Sequence, residues 1–250
     1  MDSSISITGL RGLPLIQKDD DIAALICNTT TLQNGDILCI ASTIVSKANG
    51  YSRRLDEITP GKQACSIASV TGEDPRFLQV VLDQAADVLI ETPFTLTALP
   101  WGHVGVRSGV DASNVEDGYA IYLPPDPMAE ASRIAERIFE ITGVLCQIIL
   151  TDTCGRAFRR GQTGHAIGWS GMTAIRDFRG DTDLFGKVLE ITEEAVIDEI
   201  AGFSNFVMGE SNNGVPVVLF RGCPAWKGHN EIYFTKSQDI IRRALQKEEC

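Results

Sequence analysis

The 250-residue sequence predicts a mixed α/β fold that is neither a Rossmann sheet nor a P-loop domain. Three observations carry this. Short apolar runs of strand length (residues 36–45, 144–150 and 215–220) are interleaved with amphipathic helical stretches. Their spacing lacks the regular strand–helix alternation of a doubly wound sheet or barrel. No Gly-x-x-x-x-Gly-Lys-[Ser/Thr] segment occurs, so a nucleotide, if bound, is held by other means.

In chain order, residues 20–27 read as a short helix whose leading aspartates complement the helix dipole. Asn34-Gly35 is a turn, and residues 36–45 (DILCIASTIV) read as one buried strand. Helices are expected over 62–70 and 75–86. Residues 87–99 and 103–110 read as paired strands joined through Pro100-Trp101-Gly102. The clearest helix spans 127–142, with Ile134, Ile138 and Ile141 on one face and Gly143 ending it. A strand over 144–150 follows. A second long helix is expected over 192–208 with Thr192 as its cap; Ala195 stands where a capping box needs Glu or Gln. Residues 215–220 form a buried strand, and residues 235–246 a final helix capped by Thr235 or Ser237.

Composition narrows the function classes. Hydrophobic residues at 44% and charged residues at 22% are those of a globular chain with a sizeable core. A net charge of -11 argues against nucleic acid as a partner, which requires a basic footprint. The seven cysteines form no Cys-x-x-Cys pair, and the three histidines are dispersed, which disfavours a zinc ribbon, a His-based zinc site or a disulfide framework. The sequence has no leader-like start and no run able to span a bilayer, so the expected location is the cytoplasm.

Three stretches hold candidate chemistry. In Thr151-Asp152-Thr153-Cys154-Gly155-Arg156, with Arg159 and Arg160 beyond, a carboxylate follows a buried strand and precedes three arginines. Oxygen donors of this kind suit Mg²⁺ or Mn²⁺, and guanidinium groups suit phosphate. A strand-ending Asp that caps a turn beside solvated arginines is the competing account. Gly109-Val110-Asp111-Ala112-Ser113-Asn114 repeats the Asp-after-strand pattern, though an Asp/Asn/Ser turn explains it on residues alone. Met208-Gly209-Glu210-Ser211-Asn212-Asn213-Gly214-Val215 sets a carboxylate in a glycine-containing loop; Glu210 gains meaning only if it meets Asp152 in space. Gly12-Leu13-Pro14-Leu15-Ile16 and Ser42-Thr43-Ile44-Val45-Ser46-Lys47 are weaker suggestions of a base-stacking turn and a phosphate-contacting strand end.

Together with Ala166-Ile167-Gly168 and Asp177-Phe178-Arg179-Gly180 plus Asp183, these segments, in this order over residues 9–222, resemble the coenzyme F420-0:L-glutamate ligase family. The resemblance implies an α/β fold of two intertwined subdomains with mixed or antiparallel sheets, a homodimer, and a GTP-dependent amide ligase. That reaction passes through an acyl phosphate on the acceptor's lactyl carboxylate, which the amine of L-glutamate attacks. It further implies two divalent metals, Mg²⁺ or Mn²⁺, one on Asp111 and Asp152 and one on Thr153 and Glu210, with potassium as an added cation. Leu13, Pro14, Leu15, Ile16, Ser42, Thr43, Lys47, Asn114 and Met208, Gly209, Ser211, Asn212, Asn213, Gly214 and Val215 would contact GTP. Asp152 and Arg156 would serve catalysis. Residues 1–250 are expected to form one ligase unit, with room for two subdomains, without the nitroreductase-like domain fused to some relatives. The sequence departs from the family at Arg107-Ser108, where Asn-Ala is common. That departure keeps open a γ-glutamyl ligase for a folate-like acid. A GTP-binding regulatory protein without turnover is the further alternative.

Overall fold

The computed structural model describes residues 4–245. Strand β1 (Ser6–Leu10) leads through the apolar turn at 12–16 to helix α1 (Ile22–Thr29). Asp21 caps α1 by accepting a 3.0 Å bond from the Ala24 N–H, filling one of the donors every helix start leaves unpaired. Strand β2 (Ile37–Ala41) follows the Asn34-Gly35 turn. The strand expected over 36–45 stops halfway, and helix α2 (Ser42–Ala48) starts directly from it. Buried Ser42, Ile44, Val45, Ser46 and Ala48 fit a helical stripe as well as a strand, so apolarity alone misreads this run.

Strand β3 (Ser52–Arg54) precedes α3 (Lys62–Thr71) and α4 (Pro75–Gln84), both within two residues of expectation. Residues 87–99 are two strands rather than one. β4 (Asp87–Ile90) turns back into β5 (Leu96–Ala98), and β5 pairs with β6 (Val104–Val106). Pro93, which has no N–H to give a ladder, lies in the break. The remainder of the second expected strand, Arg107–Gly109, is a tight helical turn. Strand β7 (Tyr119–Ile121) pairs antiparallel with β3. Helix α5 (Pro127–Thr142) lies where expected, capped by Asp126 and closed by Gly143 at φ 70°.

Strand β8 (Gln147–Arg156) continues well past its expected end at Leu150 and forms a long hairpin with β9 (Arg159–Ser170). Asp152 and Thr153 therefore sit inside a strand, not in a turn after one. The short strands β10 (Ile175–Asp177) and β11 (Glu193–Glu194) come next. Helix α6 (Val196–Met208) begins after them, so Thr192 is not its cap. Glu193 and Glu194 pair with Asp177 and Arg176, and that ladder outweighs the helix-start signal. Strand β12 (Val217–Arg221), β13 (Gly228–His229) and α7 (Ile240–Leu245) are the last elements of the described residues. Thr235 accepts backbone bonds from Gln238 and Asp239 in a turn ahead of α7, and Gln246 of the expected helix lies outside the described residues.

The central sheet has the order β1-β12-β2-β8-β9 and is antiparallel except for the parallel pair β2–β8. Residues alternate between its faces, as a pleated strand dictates. Leu38, Ile40, Ile148, Leu150, Val217 and Leu219 pack with Ile26, Ile134 and Ile138 of α1 and α5. Ile37, Cys39, Ile149, Val218 and Phe220 pack with Ile197, Ile200 and Ala201 of α6. Two glycines of β9 allow this close layering. A Cβ at Gly168 would lie 2.3 Å from the Pro127 carbonyl oxygen, and one at Gly164 would lie 2.3 Å from that of Ala201. Smaller antiparallel sheets β11-β10-β13, β3-β7 and β4-β5-β6 surround the central one, as expected of a mixed, non-Rossmann chain. Among the described residues, no helix is long and apolar enough to cross a membrane.

Candidate active site

Topology determines which loops meet. The parallel pair β2–β8 aligns Ala41 with Thr151, so Ser42 and Asp152 leave the same end of the sheet. The antiparallel partners β12 and β1 enter or leave at that end too, because Val217 pairs with both Ile40 and Leu10. The 11–16 turn, the start of α2 and the 209–216 loop are thereby gathered at the carboxyl ends of the parallel strands, the usual ligand position in such sheets. They enclose a cleft of ≈ 400 Å³.

Leu13, Pro14, Leu15 and Ile16 line one side of this cleft, with Ser42, Thr43 and Lys47 of α2 at its base. Asp152 and Thr153 of β8, Asp111 and Asn114, and Met208, Gly209, Glu210, Ser211, Asn212, Gly214 and Val215 complete the expected set. Two expected residues do not line it. Asn213 turns its amide inward to donate to the Met208 carbonyl (3.0 Å), closing the loop onto the end of α6. Arg156 stands farther along β8 near the hairpin tip, exposed, with a guanidinium nitrogen 3.4 Å from the Arg160 carbonyl.

Asp152 is half-buried, and the Ser42 hydroxyl donates to its Oδ1 at 3.0 Å. Burial pushes its carboxyl up to about 6; the Ser42 and Thr153 bonds oppose that rise, and the charges of Asp111 and Glu210 add to it. Asp111 pairs with Ile121 across an isolated bridge, and its Oδ1 accepts from the N–H groups of Ala112 (2.7 Å) and Ser113 (2.9 Å) while the Ser113 hydroxyl donates to Oδ2. Gly109, at φ 65°, lets this turn approach Asp152: a Cβ there would lie 2.5 Å from Leu123 and 3.4 Å from Asp152 Oδ2. Glu210 accepts from the Asn205 side chain one turn back on α6. Lys47 is half-buried, and burial holds its ammonium below the usual lysine range.

The sequence reading missed Ser113 and Asn205, which hold Asp111 and Glu210. The Asp-x-Ser spacing signals the first; nothing local signals the second. Ala41, Ile44, Thr151 and Pro216 also line the cleft. Arg107 and Ser108 prove structural. Arg107 reaches Glu73 at 2.7 Å and lies over the Phe77 ring. Ser108 is buried, with its hydroxyl on the Val81 carbonyl (2.9 Å) and the Thr97 hydroxyl (2.8 Å). Neither side chain is presented to the cleft.

Among the described residues, the group of three whose donor atoms all lie within 4.8 Å is elsewhere, at Asp177, Glu193 and His229 of the β11-β10-β13 sheet. Arg179 bridges it, 2.7 Å from Asp177 and 3.2 Å from Glu193. The Glu231 N–H donates to His229 Nδ1, so Nε2 carries the proton it offers to Glu193 at 2.6 Å. The cleft carboxylates are wider apart and have no ion-pair partner among the described residues. Three carboxylates with the hydroxyls of Ser42, Thr43 and Thr153 form an all-oxygen donor set, which fits a hard divalent cation.

A sheet-end cleft with convergent, unpaired acids, one of perturbed pKa, is the layout of an enzyme. The family described as F420-0:Gamma-glutamyl ligase matches residues 11–222, and the chain belongs to that family. It is 47% identical to the coenzyme F420:L-glutamate ligase of Methanosarcina acetivorans over 238 residues, 94% of each chain. It is 44% identical to that of Archaeoglobus fulgidus over 245 residues, 97% of this chain and 98% of the relative. The protein is a ligase.

Proposed function

We propose that this ligase joins L-glutamate by an amide bond to coenzyme F420-0, using GTP and an acyl-phosphate intermediate and releasing GDP and phosphate. The observation that carries the reading is the single cleft in which Asp111, Asp152, Thr153 and Glu210 face the 11–16 turn, the start of α2 and the 209–215 loop. The apolar turn offers a face for the guanine base. Lys47 and the α2 hydroxyls meet the phosphates. Ser42 keeps Asp152 aimed into the cleft.

Asp111 and Asp152 would hold one divalent cation, and Thr153 and Glu210 the second. Such cations supply charge neutralisation on a transferring phosphoryl group. The protein's own part is to pre-position donors: Ser113 fixes Asp111 and Asn205 fixes Glu210, so little reorganisation is required on binding. Potassium dependence follows from the resemblance and is read by replacing it with sodium. A pair of chains also belongs to this reading. Leu184 and Phe185 stand fully exposed on the loop between β10 and β11, apolar surface of the kind a partner subunit covers; light scattering tests it. Free cysteines and nucleotide chemistry suit the cytoplasm.

The test is purified protein with Mn²⁺, GTP, L-glutamate and the deazaflavin acceptor. Mass spectrometry should find the acceptor one glutamate heavier, with phosphate release only when acceptor and glutamate are both present. Absence of product under these conditions overturns the proposal. A folate-like acceptor loses its motivation, because Arg107 and Ser108 are engaged in the scaffold.

A further inference from the structure

The tip of the β8–β9 hairpin carries an unbalanced charge. Arg156 and Arg159 are direct cross-strand partners, and Arg160 follows. Like charges placed opposite each other on a ribbon repel and destabilise it. Among the described residues none of the three meets a carboxylate. Elsewhere in this acidic chain most arginines do, among them Arg54, Arg107, Arg137, Arg179 and Arg221. Between them, Phe158 is wholly exposed and holds a φ of 62°, a conformation that bulky side chains rarely adopt. A cationic and aromatic tip maintained at such cost suits a ligand that carries both an anion and a flat ring.

Its position gives the ligand. Arg156 lies four residues beyond Asp152 on β8, past a register irregularity at Gly155/Arg156, and four residues of strand span about 13 Å. The ribbon leaves the cleft on the β9 side, whereas the 11–16 turn and the 209–216 loop lie on the β1–β12 side. We infer that Arg156, Arg159 and Arg160 form an anion subsite that binds the phosphodiester of the acid acceptor, with Phe158 against its ring system. This deepens the proposed function and rests on it. The subsite orients the acceptor so that its free carboxylate enters the cleft; it takes no part in phosphoryl transfer.

The experiment compares Arg156→Gln/Arg159→Gln and Phe158→Ala with the unaltered enzyme, measuring KM separately for acceptor, GTP and glutamate. The double variant is expected to raise the acceptor KM at least tenfold, to leave the GTP and glutamate KM values within twofold, and to flatten the salt dependence of acceptor binding. Phe158→Ala is expected to raise the acceptor KM a few-fold. Fluorescence titration of the deazaflavin against the protein gives the same order without turnover. An unchanged acceptor KM overturns the inference. So does a rise confined to GTP or to glutamate, or a change of oligomeric state that accounts for the loss. If the unaltered enzyme itself forms no glutamylated product, the proposed function has failed instead, and the two failures are thereby distinct.

Discussion

Two regions of this molecule gather acidic side chains, and they treat the charge in opposite ways. On the small sheet, Arg179 pairs with both Asp177 and Glu193, and its guanidinium hydrogen bonds hold the Asp177 carboxyl down at about 2. In the cleft, Asp152 faces Asp111 and Glu210 with no such partner, and burial drives its carboxyl up to about 6. The tighter cluster is the balanced one: its cation is built in. The looser one is left in deficit, and a carboxylate group kept in deficit by a folded scaffold is where a ligand's positive charge belongs. Proximity of acids alone points to the small sheet, and charge balance points to the cleft.

The largest effect that separates the two regions is on turnover. Asp152→Asn is expected to lower kcat on the order of 10³-fold while leaving the thermal midpoint unchanged or raised, since the amide removes a repelled charge. Glu193→Gln should leave kcat within about twofold. Phosphate release and differential scanning calorimetry read both; comparable losses in the two variants would erase the distinction. Next is cation binding. Mn²⁺ at 100 times its Kd should stabilise the protein by about 2.7 kcal/mol. That gain should vanish in Asp152→Asn and persist in Glu193→Gln. If Glu193→Gln abolishes it instead, the ion occupies the small sheet and the comparison is reversed. Smaller again is the loss of the hydroxyl that aims Asp152. Ser42→Ala should lower kcat about tenfold, the scale of one hydrogen bond to a charged group, without changing GTP affinity by more than about threefold.

Much of this was legible in the sequence, for identifiable reasons. Strong amphipathic periodicity and a terminal glycine located α5 within a residue, and the mixed architecture followed from irregular strand spacing. Boundaries failed where tertiary pairing overrode local signals. β8 extends to Arg156 because β9 offers a full ladder, and Glu193-Glu194 joins β10 instead of opening α6. The run at 36–45 changes from strand to helix at Ser42 because a uniformly apolar run is consistent with either period. At the site, Asp111, Asp152 and Glu210 could be named but not joined, because their meeting depends on the parallel β2–β8 register and the return of β12. Asn205 reaches Glu210 only five residues on, but no local pattern marks an Asn near a helix end for that role, and Arg107 misled because its partner Glu73 is distant in sequence.

The smallest expected effect lies in the balanced cluster, and its sign tests the contrast directly. The Asp177 carboxyl is held at about 2, below its ordinary value near 3.8, chiefly by the Arg179 side chain and then by the Arg179 backbone N–H. A depressed carboxyl stabilises the folded state above the unfolded value, and that contribution is lost as pH falls from about 3.8 towards 2. Because the pair is solvent-facing, screening keeps its contribution small. Asp177→Asn should therefore be slightly less stable than the unaltered protein at pH 7, by urea denaturation at low salt. The gap should narrow in high salt and close as the pH approaches 2. A gap that persists at low pH would mean that Asp177 acts through packing or its backbone turn, and that Arg179 is not what balances this region.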